Sequence, residues 1–169
     1  NLQVVLTSAL DMAALSTAGV ATVGSFLTVT SNPEVNFVLA QRVLEEFRPP
    51  RVLAALTDAP SNSQRTVAAE KLSTPEVMRA FSLQLSIKEW SHYVSSQEVK
   101  VGETTLEGNS EQFQRQCTHL KSLASIGKLI PVLFIRQDCL RIAQANENWQ
   151  PDDQVIYLLH IPKAPKSTQ

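Results

Sequence analysis

The stretch SFLTVTSNPEVNFVLAQRVLEEFRPPRVLAAL, Ser25 to Leu56, decides the fold. Its first five residues, Ser25 to Val29, form a largely apolar run with β-branched side chains and read as a strand. Ser31-Asn32-Pro33-Glu34 then starts a helix. Asn32 supplies the capping side chain, Pro33 fits the first helical position, where no N–H is needed, and Glu34 puts negative charge in the first turn. Val35, Val38, Leu39, Val43 and Phe47 recur at three- and four-residue steps, while Asn36, Gln41, Arg42, Glu45 and Glu46 take the other face. Pro49-Pro50 stops the helix, and Val52 to Leu56 is a further short apolar run. Strand, helix and strand within about thirty residues make a βαβ unit, with a right-handed crossover and a parallel sheet covered by helices.

Upstream, Leu2 to Leu6 (LQVVL) reads as another buried strand, and Asp11 caps a brief helix, Met12 to Ala18, that Gly19 ends. The first 56 residues are therefore expected to run β-α-β-α-β. Thr57 to Ser73 loses apolar periodicity and reads as a linker, which divides the chain into residues 1–73 and 74–169. Past it, Thr74-Pro75-Glu76 signals a helical stretch, and Ser86 caps a second helix through Val94. Glu98 to Leu106 alternates as a half-exposed strand, and Ser110 to Ser122 is a polar helix with Phe113, Cys117 and Leu120 on one stripe. Leu129 to Ile135, Leu140 to Ala143 and Gln154 to Leu159 are strands, separated by Gln137-Asp138 and by residues 149–153.

Composition narrows the function. With 15 Lys+Arg against 16 Asp+Glu in 169 residues, and no block of like charge, the chain has no electrostatic footprint for nucleic acid or an anionic membrane. The longest uncharged run, Met12 to Pro33, is interrupted by Gly19 and Gly24 and filled with hydroxyls, so it does not read as a membrane helix. Two cysteines, Cys117 and Cys139, are too few for a disulfide framework and suit a reducing cytoplasm as small core residues. The chain opens at Asn1 without a signal-peptide progression and reads as a piece of something longer.

No catalytic set stands out. The closest pair of glycines, Gly19 and Gly24, is five positions apart, so no GxGxxG or P-loop exists to admit a pyrophosphate. His92, His119 and His160 have no partner at metal-ligand spacing and read as ordinary, partly exposed histidines. Asp152-Asp153 after Pro151 reads as a solvated turn. One ligand position remains: Thr30-Ser31-Asn32, at the carboxyl end of a parallel strand and the start of a helix. Against it, Pro33 removes a backbone donor and Glu34 repels a phosphate, so a plain helix cap is the competing reading.

These residues carry a resemblance. VVLTSALDMAALSTAGV (Val4 to Val20), FLTVTSNPEVN (Phe26 to Asn36) and PPRVLAAL (Pro49 to Leu56) resemble the second half of the TrkA-type nucleotide-binding domain, also called the regulator of potassium conductance (RCK) domain. TSNPEVN followed by AQRVLEEF (Ala40 to Phe47) is similar to the cytoplasmic tails of bacterial sodium/proton antiporters that carry such a domain. GKLIPVLFIR (Gly127 to Arg136), Leu140 to Ala143, and Trp149 to Tyr157 are similar to the small TrkA C-terminal domain. The fold class implied is α/β: a partial Rossmann-like parallel sheet (β-α-β-α-β), then a small α+β domain with a helical insertion.

In that family a Gly-Asp after the first strand lies near the nucleotide base; Thr7 and Ser8 stand there in this chain. Thr30 matches the post-strand threonine and Asn36 the helix asparagine, so the implied cofactor-binding set is Thr7, Ser8, Thr30, Ser31, Asn32 and Asn36. The family's glycine-rich turn and ribose-binding acid belong to the half that would precede Asn1. NAD or an adenine nucleotide is therefore implied only for a protein containing that half. The implied function is a non-enzymatic regulatory domain of a monovalent-cation/proton antiporter at the cytoplasmic face of the inner membrane. Its implied partners are the transmembrane region of the same polypeptide and a second copy, since an incomplete half-sheet leaves an edge strand to pair. The rivals are a stand-alone dimerisation module with a vestigial pocket, and a nicotinamide-dependent dehydrogenase fragment whose one candidate acid-base residue is His92.

Overall fold

The computed structural model describes residues 10–57 and 76–163, together with residues 4, 6 and 8. The chain divides into two units, one running to Leu56 and resuming up to Ala80, the other from Phe81 onward. The architecture is mixed α/β, with one three-stranded and one four-stranded sheet among the described residues.

In the first unit, α1 (Met12–Thr17) is capped by Asp11, whose carboxylate accepts from the Ala14 N–H at 3.1 Å. Gly19 follows at φ 84, a left-handed geometry open to a residue without Cβ. A 3₁₀ turn, Val20–Thr22, leads into β1 (Phe26–Thr28). The uncharged run thus breaks into short pieces, and no helix among the described residues is long and apolar enough to cross a membrane. The expected strand over 2–6 falls outside the described residues except for Val4 and Leu6. Those two belong to no strand and are exposed, the opposite of the burial expected for them. A five-residue apolar run carries no period that distinguishes a buried strand from other segments.

The deciding stretch folds as its pattern requires. Asn32 caps α2 (Pro33–Glu46) and Pro33 opens it. β2 (Val52–Thr57) lies parallel to β1, with Phe26 opposite Val52 and Thr28 opposite Ala54. Leu39 and Val43 pack with Val20, Met12, Leu15, Phe26 and Phe47; Ala40 packs with Val52 and Ala54. The buried face is Asn36, Leu39, Ala40 and Val43, so the expected stripe is corrected at two places. Asn36 is inside, and Val38 is 49% exposed. Positions 36, 39, 40 and 43 keep helical spacing; the buried polar member is what the apolar pattern alone could not reveal.

The helical stretch expected after Thr74-Pro75-Glu76 is instead β3 (Met78–Leu83), the third strand in the order β1-β2-β3. A local start signal gave way to ladder pairing along the free edge of β2. The strand's period was also hidden. Phe81 holds φ 58, and Ala80, Phe81 and Leu83 are all buried, which breaks simple alternation.

The first helix of the second unit is α3 (Ile87–Ser95), started by a capping box in which the Glu89 N–H donates to Ser86 Oγ and the Ser86 N–H to Glu89 Oε2. β4 (Val99–Thr105), α4 (Ser110–Ser125), β5 (Leu129–Arg136), β6 (Cys139–Ile142) and β7 (Gln154–His160) follow, and the strands form an antiparallel sheet in the order β4-β7-β5-β6. Cys117 and Leu120 from α4 pack with Leu106, Leu129 and Val155 to form its core. Pro131 sits inside a central strand because the β5–β7 register shifts between Pro131 and Leu133, a bulge that removes the need for its missing N–H. Gln137 and Asp138, at φ 51 and 59, make the tight turn that joins β5 to β6. Both cysteines are free thiols. Cys117 is buried as expected, with burial pushing its thiol pKa up; Cys139 is exposed, because its strand is an edge.

Candidate functional site

The turn between β1 and α2 brings four of the six expected ligand residues together. Asn36 is fully buried, and its amide is wholly engaged. Its Oδ1 accepts from the Thr30 N–H at 2.7 Å, while its Nδ2 donates to the Thr30 carbonyl at 3.1 Å and the Ala55 carbonyl at 2.9 Å. Its own carbonyl accepts from Thr28 Oγ1 at 2.9 Å. Asn36 therefore staples the end of β1, the start of α2 and the end of β2; its carboxamide donors are not available to a nucleotide.

The start of α2 is equally occupied. Asn32 Oδ1 accepts from the N–H groups of Glu34 at 2.9 Å and Val35 at 3.2 Å. Its carbonyl accepts from Asn36 N–H, and Pro33 has none to offer. Thr30 Oγ1 donates to the Asn32 carbonyl and accepts from the Asn32 N–H. The first-turn donors that would cradle a phosphate are taken by the chain's own side chains. Ser31 is exposed beside them. Thr7 lies outside the described residues. Ser8 keeps its bonds local, accepting from Leu10 N–H on its hydroxyl and from Asp11 N–H on its carbonyl.

A second polar centre, in the second unit, corrects half of the reading of Asp152-Asp153 as a solvated turn: Asp152 is exposed in the turn, Asp153 is not. Asp153 is completely buried. Arg136 meets it bidentately, Nε to Oδ1 at 2.8 Å and Nη2 to Oδ2 at 2.7 Å, and Oδ2 also accepts from Gln150 N–H at 2.7 Å. The hydrogen bonds to Asp153 raise the guanidinium pKa above its already high range, against the opposing effect of burial. Arg136 Nη2 further donates to the Asn148 carbonyl at 3.0 Å and lies 3.7 Å from Glu147. Both oxygens of the buried carboxylate are thus bonded, to the guanidinium and to the Gln150 N–H, which is what makes the charge tolerable away from water.

Beside this knot a cleft of about 430 Å³ opens between α4 and the loop that joins β6 to β7. Leu120, Ala124 and Pro131 give it apolar patches, and Lys121, Gln144, Asn146, Glu147, Asn148 and Trp149 line its polar rim. Sequence reasoning missed Thr28, Arg136, Asp153 and this rim. The run Gln144-Ala145-Asn146-Glu147-Asn148-Trp149, rich in carboxamides and ending in an aromatic residue, was the available cue.

Among the described residues no group of three or more His, Cys, Asp or Glu is placed to hold a metal. His92 and His119 are exposed. His160 stacks on Tyr93, with ring centroids 3.8 Å apart. Comparison of the chain with protein-family models and with curated proteins finds no match.

Proposed function

We propose that this chain is a regulatory domain of a monovalent-cation/proton antiporter, similar to the TrkA/RCK family and acting on a membrane-embedded region of the same polypeptide. It performs no chemistry itself. The observation that carries this reading is the order of its parts. A parallel β-α-β unit, whose post-strand threonine and helix asparagine bind each other, precedes a small antiparallel unit, the sequence of parts the resemblance implies. Such a domain acts by biasing a conformational equilibrium, through a ligand or a second copy that prefers one state. The test reads the coding region upstream of the Asn1 codon. The expected result is several apolar segments of about twenty residues each, with ionisable residues inside them. A short polar upstream region overturns the reading.

A second reading is favoured by one observation. Because Asn32 and Asn36 occupy the donors and acceptors of their own turn, the chain also fits a dimerisation module whose ancestral pocket no longer takes nucleotide. On this reading the 169-residue chain is a dimer by light scattering, and its melting temperature ignores NAD, NADH, ATP and AMP, because only a ligand that binds the native state raises it. A saturable rise with any of the four removes this reading and strengthens the first.

A further inference from the structure

We propose that the cleft between α4 and the 144–149 segment is a binding site for a neutral polyhydroxylated small molecule, a sugar or polyol. Its volume, about 430 Å³, lies within the range of small-ligand sites.

The rim is anchored from behind. Arg136, itself locked to the buried carboxylate of Asp153, donates to the Asn148 carbonyl, and Glu147 accepts from the Gln144 N–H at 3.3 Å. Gln150 N–H is tied to the same Asp153. The backbone of the segment is thus held at its C-terminal end by one buried ion pair and at its start by the Glu147 carboxylate, and its carboxamides are left over. The carboxamides of Gln144, Asn146 and Asn148 line the cleft without a hydrogen-bond partner among the described residues. A rim held by its backbone, with its side chains unassigned, is preorganised for something else to bind.

The chemistry of that rim selects the ligand class. Each carboxamide offers a donor and an acceptor on one plane, which complements hydroxyl groups that themselves both donate and accept. Half-buried Trp149 supplies a flat apolar wall for the C–H face of a polyol or sugar ring. Lys121 and Glu147 contribute opposite charges to the same cleft, so the cleft offers no net charge to favour an ionised ligand.

Binding is independent of any membrane attachment; only its consequence for ion transport rests on the antiporter reading. The experiment titrates the ¹⁵N-labelled 169-residue chain with sucrose and with sorbitol, following the side-chain amide resonances of Gln144, Asn146 and Asn148. Sugars excluded from protein surfaces stabilise every protein without saturating, so saturation and localisation are the readout rather than melting temperature. The expected result is a saturable shift confined to the cleft for at least one of the two probes. Replacing both Asn146→Ala and Asn148→Ala, each exposed, weakens it about ten-fold or more, the cost of roughly 1.4 kcal/mol in lost hydrogen bonds. Gluconate, which differs from sorbitol by a carboxylate, binds no more tightly. Shifts that grow linearly across the whole spectrum, no shift with either probe, unchanged affinity in the double variant, or tighter binding of gluconate each overturn the proposal. None of those results bears on whether the chain is a transporter's regulatory domain.

Discussion

Asn36 illustrates how a polar side chain becomes structural. Its carboxamide bonds one N–H and two carbonyls of the surrounding backbone, and Asn36→Ala removes all three bonds at a fully buried position. We expect that variant to lose about 2–4 kcal/mol in urea unfolding, well above the cost of removing a solvent-facing asparagine. Arg136 is the counterpart in the second unit. Arg136→Met strands a carboxylate that is 0% exposed, and a loss of about 3–5 kcal/mol is expected. Adding Asp153→Leu to it recovers part of that loss, because the isolated charge is then gone; a double variant no more stable than Arg136→Met would refute this account. The cap at Asn32 was readable because its partners lie two and three residues away. Asn36 and Asp153 were not, because their decisive partners, the Ala55 carbonyl and Arg136, lie 19 and 17 residues distant and become neighbours only through the sheets.

Helices and strands show the same division. Helix starts were visible in the sequence wherever a side chain bonds its own first turn, as in α2 and α3. In α3 the capping box also carries a charge. Ser86 holds the Glu89 carboxylate below its usual pKa range, first through its hydroxyl and then through its N–H. A carboxylate held low in the folded state adds stability that is present above the ordinary glutamate range and is lost as pH falls through the lowered value. Glu89→Gln is therefore expected to lower α3 helicity at neutral pH, where the carboxylate's contribution is fully present, and so to flatten the acid limb, followed by the exchange of its first-turn amides. Among the strands, β3 escaped sequence reading because its alternation is broken at Phe81. β4 was readable, and its one weak position has a specific occupant. The Tyr157 ring of β7 lies directly over Gly102, its registered partner, where a Cβ would collide with it. Gly102→Ala is expected to cost about 1–3 kcal/mol by overpacking, and Tyr157→Leu in the same chain to relieve it.

For the molecule as a whole, two units of different chemistry follow one another. The first binds its own polar groups so completely that its strand-to-helix turn has little left to offer a ligand. The second leaves a set of carboxamides unassigned on an anchored rim. Composition set aside nucleic acid through the balance of 15 Lys+Arg against 16 Asp+Glu. The α/β class and the parallel pairing of β1 with β2 were readable from Ser25 to Leu56 alone, because periodicity and punctuation agree there. The cleft was not, because its walls come from a helix, a strand and a loop that no local pattern connects.

The exposed position of Cys139, next to the tight turn on an edge strand, makes the protein easy to instrument. Its only other thiol, Cys117, is shielded in the core, so one maleimide probe or nitroxide can be attached at a single defined place without any cysteine having to be removed. A spin label there turns the question of whether two copies associate into a distance: a dimer yields a pair separation by pulsed electron resonance, and a monomer yields none.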